Sequence, residues 1–403
     1  MTEQNIPLNK KASAIKFWQI LVICGIFLLI IGLSFLAGYW FSNGYAQFNS
    51  SAFPLFDRAY QLLLDHGLNP VPESPFLEYG LIRGMLQSYN DPYTVFVEPP
   101  QHELQTNRLE GKYGGIGVRL EIDTTQKYRL YPFPDSPAQK AGVIDGDILV
   151  QVAQIVVTED TDTDTIQAAI RGPVDEKVTI TIFRDVSGET LSFDIERAEI
   201  PIPSVTWNLI PEYQQVGILK VNIIAATTPE ELQIGFRDLI SKGAVYFILD
   251  LRDNSGGLVD AGVNIARLFL ENGSAILEQQ YRNQQPQTFK SEKDGDYIYE
   301  PLVVLINHGT ASAAEIIAGA LKNQSRAIIV GSPSYGKDTI QLVFDLGDGS
   351  SMHVTSARWW IPGLEPSIGG NGVQPDVPIA PDSPNDEINA LYIRAAISVL
   401  LDQ

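Results

Sequence analysis

The chain has 403 residues, a formal net charge of −20 at pH 7, one cysteine and four histidines. Because a phosphate backbone requires a basic protein face, this acidity argues against nucleic acid as a partner. A single cysteine cannot form an intramolecular disulfide, and the histidines and the cysteine show no metal-ligand spacing, so we expect neither a metal nor another cofactor.

Residues 17–41 contain no Asp, Glu, Lys or Arg, and about 20 apolar residues suffice to cross a bilayer. Lysines occur in residues 1–16, whereas the next charged residue after the apolar run is Asp57. This asymmetry predicts a cytoplasmic tail, one transmembrane anchor, and an extracytoplasmic remainder from residue 42 onward, on the periplasmic or cell-surface side. A cleaved signal peptide is the alternative, but the run exceeds the usual ~7 to 15 residues and no A-x-A site follows.

Residues 42–108 are interpreted as a polar linker followed by a small helical module. In FDRAYQLLLDHG and FLEYGLIRGMLQSYN the apolar residues recur at helical spacing, and the turn signal NDP ends the second segment. We expect this module to dock or to dimerise, which makes a homo-oligomer one expectation. The segment YNDPYTVFVEP at its end is assigned no chemistry.

Residues 109–197 change to short strands separated by glycine turns. The blocks YGGIGVRLEI, SPAQKAGVIDGDILVQVAQIVV, TIQAAIRGPVDEKVTITIFRD and TLSFDIER resemble a PDZ domain. The resemblance implies a loop whose N–H groups bind the terminal carboxylate of a peptide, and a helix that completes an apolar pocket for its last side chain. Arg119 is a candidate second ligand of the carboxylate. The implied peptide-binding residues are Gly115, Ile116, Gly117 and Val118 of the loop and Ile166, Ala169 and Ile170 of the helix.

Residues 198–403 alternate apolar strands with helices, which indicates an α/β layered core. We predict a helix from about Leu258 onward and a loop or hairpin at the polar segment EQQYRNQQPQTFKSEKDGDYIYEP. The predicted strands are VGILKV, AVYFILDL, PLVVLIN, AIIV, QLVFDL and MHVTSARWW.

Ser312 and Lys337 are the candidate reactive pair of this core. Ser312 follows an apolar strand where a run of small residues opens a helix, and Lys337 lies in the loop after the next apolar strand. A serine needs a base beside it, and a lysine acts as that base only where a dry pocket keeps it neutral. The N–H of Ala313 at the helix start and those of the Gly256-Gly257 turn are candidate oxyanion donors. The pair favours a Ser-Lys hydrolase.

The segments DLRDNSGG, TASAAEI and YGKDTIQ resemble the signature blocks of the carboxy-terminal processing peptidases, or tail-specific proteases. The spacing of 25 residues from Ser312 to Lys337, with Gln341 four residues further on, also matches that family. The resemblance covers the chain from about Asp57 to GVQPDV. It implies Ser312 as nucleophile, Lys337 as general base and Gln341 as the residue that orients the lysine. Three further members of the matched blocks are expected to have a structural role at least as much as a catalytic one: Glu315, Asp250 and Arg252.

Two local alternatives compete with this interpretation. GSPSYGKDT nearly spells a phosphate-binding loop, but Asp338 stands where that loop requires a hydroxyl, and a strand instead of a helix is predicted after it. His308 lies four residues before Ser312 and would be the default base for a serine, although the resembling family has no catalytic histidine.

The fold expected from these observations is a mixed multidomain one: a transmembrane helix, a helical module, a β-rich PDZ domain, and an α/β core of the type that the family shares with crotonase and Clp-type enzymes. The expected function is a membrane-anchored serine endopeptidase that acts on protein or peptide substrates with free apolar C-termini. A catalytically silent peptide-binding scaffold and an acyl-thioester enzyme remain the alternatives.

Overall fold

The computed structural model describes residues 53–379 and 385–402. The predicted cytoplasmic tail, residues 1–16, and the predicted anchor, residues 17–41, lie outside these ranges. Within the described ranges, no helix is long and apolar enough to cross a membrane. Of the described residues, 53–81 belong to one compact unit and those from Ile82 onward belong to a second.

The helical module contains two helices, as its apolar spacing predicts, followed by a short strand and a third helix. Pro54 opens the first helix, where its missing N–H costs no hydrogen bond. None of the side chains of this first helix is buried, and Leu55 is 87% exposed. The elements are α1 (Pro54–His66), α2 (Phe76–Tyr89), β1 (Val95–Val97) and α3 (Pro99–Glu110).

The predicted PDZ region is a six-stranded antiparallel sheet with two short helices. Its core forms because alternate residues of each strand face inward: Val178, Ile180 and Ile182 are buried in one strand. The chain enters and leaves the domain through β2 and β9, which pair with each other. The sheet order is β3-β4-β5-β7-β8, with β6 paired to β5. The elements are β2 (Lys112–Gly115), β3 (Val118–Ile122), β4 (Tyr128–Pro132), α4 (Pro137–Ala141), β5 (Asp147–Val152), β6 (Ile155–Val156), α5 (Thr163–Ile170), β7 (Lys177–Arg184), β8 (Glu189–Glu196) and β9 (Ala198–Pro201).

The remaining chain builds a second six-stranded sheet, largely parallel and covered on both faces, as continuous apolar strands require. Its order is β10-β11-β12-β15-β16-β19, and every residue of β15 is buried. Phe247 and Leu249 pack on one face against α6, α7 and α8, whereas Ile248 packs on the other face against α9. The elements of this sheet and its helices are β10 (Val205–Ile210), β11 (Tyr213–Val221), α6 (Thr228–Ser241), β12 (Tyr246–Asp250), α7 (Val259–Arg267), β15 (Leu302–Ile306), α8 (Ala313–Asn323), β16 (Ile328–Gly331), β19 (Val377–Pro378) and α9 (Asn385–Leu401).

A smaller antiparallel sheet carries the rest of the candidate site. Its order is β1-β18-β13-β14, with β17 paired to β18, so the short strand after the helical module joins the C-terminal half of the chain. The polar segment predicted as a loop or hairpin forms the β13–β14 hairpin. The elements are β13 (Ala275–Tyr281), β14 (Gln287–Lys290), β17 (Thr339–Asp345) and β18 (Ser351–Trp360).

The order of the parallel strands positions the candidate site. Strands β12, β15 and β16 are neighbours, and the carboxyl ends of parallel strands meet at one edge of a sheet. The loop after β12 carries Gly256 and Gly257, the loop after β15 carries Ser312, and the loop after β16 carries Lys337. Three segments that are distant in the chain therefore converge at one edge.

Candidate active site

Ser312 is the residue immediately before α8, one position earlier than the first-turn placement that the sequence predicts. Its backbone has φ 55° and ψ −121°, in a region that residues other than glycine seldom occupy. Such strain persists only where the surrounding structure enforces it, and it is concentrated at functional sites. The side chain is partly exposed at the sheet edge, so it is open to a substrate.

Glu315 connects the loops that carry the candidate pair. Its side chain is fully buried, and its Oε2 accepts from the N–H of Ser312 (2.8 Å) and from the N–H of Lys337 (3.0 Å). Its Oε1 accepts from Ser334 Oγ (2.6 Å) and from the N–H of Gly336 (2.7 Å). Burial raises the pKa of this carboxyl, while the four hydrogen bonds oppose that shift. One carboxylate oxygen thus holds the two main chains side by side.

The amine of Lys337 lies in a partly buried position. Burial lowers its pKa below the ordinary value of a lysine, and the charges of Asp91 and Glu315 act in the opposite direction. Its Nζ donates to Gln341 Oε1 at 2.6 Å and lies 5.0 Å from the centre of the Tyr93 ring. Among the residues that the structure describes, Nζ makes no hydrogen bond to Ser312 Oγ.

The glycine turn after β12 lies against Ser312. A Cβ added to Gly256 would be 2.9 Å from the Ser312 Cβ, which shows how closely the two backbones approach. The N–H of Gly256 donates to Asn254 Oδ1 at 2.8 Å and is therefore occupied. Within residues 53–379 and 385–402, the N–H groups of Gly257 and Ala313 donate to no protein acceptor. The structure thus removes Gly256 as a free donor and leaves Gly257 and Ala313 available.

Asp250 and Arg252 form a buried ion pair below this turn. Arg252 Nε donates to Asp250 Oδ1 at 2.8 Å and Arg252 Nη2 to Oδ2 at 2.6 Å, which is a bidentate arrangement. The ion pairing is the structural role that the sequence allows beside a catalytic one. His308, the alternative base, is exposed, its ring lies 5.6 Å from that of Tyr335, and no hydrogen bond joins it to Ser312 in the described ranges.

The PDZ region contains a groove of about 210 Å³ between β3 and α5. In the loop directly before β3, the N–H groups of Ile116 and Gly117 have no acceptor among the described residues, as a carboxylate-binding loop requires. Two cations border it: Arg119 lies 5.0 Å from the ring centre of Tyr131, and Arg171 lies 4.7 Å from that of Tyr113. The groove is lined by Tyr113, Val118, Arg119, Leu120, Phe133, Gln167, Ile170 and Arg171.

The helix side of the peptide pocket differs in part from the prediction. The side chain of Ile166 has 0% exposure and belongs to the domain core, so it does not line the groove. The side chain of Ile116 is equally buried, but this residue is predicted to bind through its backbone N–H, and that prediction is untouched by the burial. Ala169 packs against that core. Of the residues of α5, Gln167 and Ile170 line the groove, and Ile170 belongs to the domain core as well. Gly115 pairs with Ala198 in the β2–β9 ladder.

Comparison with known proteins assigns the chain to a family. The family model "Peptidase family S41" matches residues 215–379, and a PDZ domain model matches residues 132–184. The carboxy-terminal processing protease CtpA of Bacillus subtilis is 30% identical over 331 residues, which cover 80% of this chain and 70% of the relative. This chain belongs to the carboxy-terminal processing peptidases. The carboxyl-terminal-processing protease of Synechocystis sp. is 33% identical over 308 residues, covering 74% of this chain and 70% of that protein.

A solved structure of a photosystem II D1 C-terminal processing protease is 30% identical to this peptidase. The matched region includes 80% of this chain and 87% of the chain in that structure, with a TM-score of 0.45. The family assignment makes the chain a serine peptidase with a PDZ domain, and it confirms the predicted combination of that domain with an S41 core in a mixed α/β fold.

Sequence reasoning missed two residues at the candidate site of this peptidase. Tyr93, in the segment to which no chemistry was assigned, contacts both Lys337 and Gln341: its ring faces Nζ, and its carbonyl accepts from Gln341 Nε2. Asn254 is fully buried and holds the glycine turn, since its Nδ2 also donates to the carbonyl of Val221 at 2.8 Å. An asparagine two residues before a glycine is a turn signal that would have identified the second. No local pattern identifies the first.

Proposed function

We propose that this peptidase is a membrane-anchored, extracytoplasmic endopeptidase that grips the C-terminal tail of a protein substrate in its PDZ groove and cleaves peptide bonds with Ser312 and Lys337. The observation that carries the catalytic part is the Glu315 carboxylate, whose Oε2 accepts from the N–H groups of both residues. A buried acceptor shared by two loops keeps the candidate nucleophile and base together.

In the proposed mechanism, the flexible side chain of Lys337 turns its neutral amine to Ser312 Oγ. The amine takes the hydroxyl proton as Oγ attacks the scissile carbonyl carbon, and the N–H groups of Gly257 and Ala313 bind the resulting oxyanion. The protonated amine then gives that proton to the leaving nitrogen, which breaks the peptide bond and leaves an acyl-enzyme. Water hydrolyses the ester by the same proton transfers. Gln341 holds the amine between these steps.

Cleavage of a tailed peptide by Ser312→Ala and Lys337→Ala tests this assignment. Both variants are expected to lose at least a thousandfold in kcat/KM, because either loss removes the nucleophile or its base. Ser241→Ala and Lys293→Ala, at exposed positions of the same chain, are the matched controls and should cleave like the parent. Parent-like cleavage by Ser312→Ala would show that another residue is the nucleophile; activity absent from the parent as well would favour the silent scaffold.

The proposed tail recognition rests on the free N–H groups and the two guanidinium groups at the groove. A peptide with a free, apolar C-terminus is expected to bind at least tenfold more tightly than the same peptide with a C-terminal amide, because only the carboxylate is attracted by these groups. Fluorescence anisotropy with the Ser312→Ala variant measures binding without cleavage. Equal affinities for acid and amide would contradict recognition of the terminus.

The proposed location rests on the apolar run at residues 17–41 and the lysines before it. Single cysteines introduced by Ser241→Cys and Thr2→Cys in a Cys24→Ser background test it in intact cells. A membrane-impermeant maleimide should label the cysteine at position 241 and leave that at position 2 unlabelled until the membrane is broken. The reverse pattern would invert the orientation, and recovery of the chain in a soluble fraction would exclude the anchor.

The proposed self-association rests on the exposed apolar side chains of α1. Leu55, Leu63 and Leu64 are 87%, 56% and 51% exposed, and exposed apolar clusters on a helix commonly mark protein contacts. Analytical ultracentrifugation of the chain from residue 42 is expected to show a dimer or larger species that Leu55→Ser with Leu63→Ser dissociates. A parent that sediments as a monomer at all concentrations would refute it.

A further inference from the structure

Tyr93 lies more than 200 residues before Ser312 and Lys337, yet its side chain faces the amine of Lys337. The Nζ lies 5.0 Å from the centre of the ring. The face of an aromatic ring carries negative charge density and attracts an ammonium ion. Besides this ring, the amine has the hydrogen bond to Gln341 Oε1 at 2.6 Å. The ring and the amide therefore define where the amine rests.

The main chain at Tyr93 also sets the orientation of Gln341. Its carbonyl oxygen accepts from Gln341 Nε2. A carboxamide has one donor end and one acceptor end, so this bond turns the Oε1 end toward Lys337. Both contacts of the amine thus depend on Tyr93, one through its ring and one through its backbone.

The turn that carries Tyr93 is held in place by its own hydrogen bonds. Asp91 accepts from the N–H of Tyr93 (3.1 Å) and from Thr94 Oγ1 (2.6 Å), and Thr94 Oγ1 accepts from the N–H of Thr355 in β18 (3.1 Å). Directly afterwards, β1 pairs with β18. A ring on such a fixed turn keeps its position better than one on a free loop.

The titratable groups around the amine come from four segments. Burial lowers the pKa of the Lys337 amine, whereas the charges of Asp91 and Glu315 raise it. Lys337 in turn lowers the pKa of His353 in β18, an effect secondary to the burial of that ring. A hydrogen bond with Tyr335, followed by burial and the charges of Asp338 and Glu315, raises the pKa of the Tyr93 hydroxyl, so this phenol is neutral at physiological pH. The amine accordingly faces a neutral ring.

We propose that Tyr93 is a positioning residue for the general base: its ring holds the Lys337 amine beside Gln341 and stabilises the protonated form of that amine. The inference rests on the proposed role of Lys337 as base. It assigns to the turn before β1 a part in the reaction, in addition to its pairing with β18.

The test is the pH dependence of kcat/KM for peptide cleavage by Tyr93→Leu and Tyr93→Phe. The rate rises with pH as Lys337 loses its proton in the free enzyme, and this acid limb reports the base. Without the ring the protonated amine is less stable, so the limb of Tyr93→Leu is expected to move about 0.5 to 1 pH unit lower. Tyr93→Phe keeps the ring and should keep the limb of the parent.

Controls separate this role from a structural one. Tyr299→Leu replaces a tyrosine that is 87% exposed and should leave the profile unchanged. Circular dichroism establishes that each variant is folded, and Tyr93→Met replaces Tyr93→Leu if the latter unfolds. A merely structural loss lowers the rate at every pH without moving the limb.

Two outcomes overturn the proposal. An acid limb for folded Tyr93→Leu or Tyr93→Met that coincides with that of the parent would refute a role of the ring, as would an equal shift in Tyr93→Phe. Ser312→Ala and Lys337→Ala are measured in the same assay. If either is as active as the parent, the proposed catalytic pair fails and the role of Tyr93 fails with it; if both are inactive and the limb stays in place, only the role of Tyr93 fails.

Discussion

Replacing Glu315 by glutamine changes one buried group on which both candidate catalytic loops depend. The carboxylate accepts four hydrogen bonds, from Ser312, Ser334, Gly336 and Lys337, at 2.6 to 3.0 Å. A glutamine keeps one acceptor oxygen and directs its NH₂ group at two of these donors. Each buried donor without an acceptor costs about 1 to 3 kcal/mol, whereas removal of a buried charge returns part of that cost. We expect a net loss of about 2 to 4 kcal/mol in the free energy of unfolding.

Activity should fall more than stability alone explains. In either orientation of the amide, two donors of the loops face an NH₂ group instead of an oxygen: Ser312 and Lys337 in one orientation, Ser334 and Gly336 in the other. Each orientation disturbs the loop that carries Lys337, so its distance from Ser312 is less well defined, and a displacement of 1 Å costs about a hundredfold in rate. Urea denaturation measures the loss of stability, and kcat measured well below the transition measures the loss of alignment. Glu292→Gln, at a side chain that is 84% exposed, is the matched control and should change neither quantity. A Glu315→Gln enzyme with the midpoint and kcat of the parent would refute the reasoning.

Three further outcomes are expected. Gly257 has φ 151°, and in Gly257→Ala the added Cβ would lie 2.0 Å from the Ile224 carbonyl oxygen, so the turn must move. We expect kcat/KM to fall about 100- to 1000-fold. A parent-like kcat/KM would exclude this turn from oxyanion binding. Arg252→Met leaves Asp250 buried without its cation, so the free energy of unfolding, measured by urea titration, should fall by about 3 to 5 kcal/mol. A loss below about 1 kcal/mol would contradict a buried ion pair. Lys337→Met should abolish cleavage yet raise stability at pH 7 by about 1 kcal/mol. Burial lowers the pKa of Lys337 in the native state, so between the native and the unfolded pKa the native state binds fewer protons than the unfolded chain. The stability of the parent therefore rises with pH in that interval, and the stability advantage of Lys337→Met should shrink as the pH approaches 10. A stability difference that stays constant with pH would refute this.

Much of the fold follows from patterns that a short window of sequence contains. The buried strand before the Gly256-Gly257 turn, the helix after it and the apolar strand before Ser312 all lie where the sequence predicts them, because continuous apolar runs and glycine punctuation report on local burial. The segments DLRDNSGG, TASAAEI and YGKDTIQ, together with the spacing of Ser312, Lys337 and Gln341, predicted the family, which the comparisons confirm. The roles of these residues and the membrane anchor remain predictions.

The spacing of apolar residues in the PDZ helix does not determine which of its side chains line the peptide groove. Ile166 is apolar and lies in the predicted helix, but its side chain is buried in the core of the domain. Neighbouring positions of one helix differ by about 100° in direction, so an error of one residue exchanges a groove residue for a core residue. Only the packed domain decides that Gln167 and Arg171 face the groove.

The sequence by itself determined the parts: a serine at a helix start after an apolar strand, a glycine turn, a lysine loop, and domains that are separated by a change of period. Tertiary structure alone decided which groups surround the amine. Gln341 meets the carbonyl of Tyr93 across 248 positions of the chain, and that contact exists only because β1 pairs with β18. Strand pairing over such a separation is selected by the packing of the whole domain, and no local propensity encodes it.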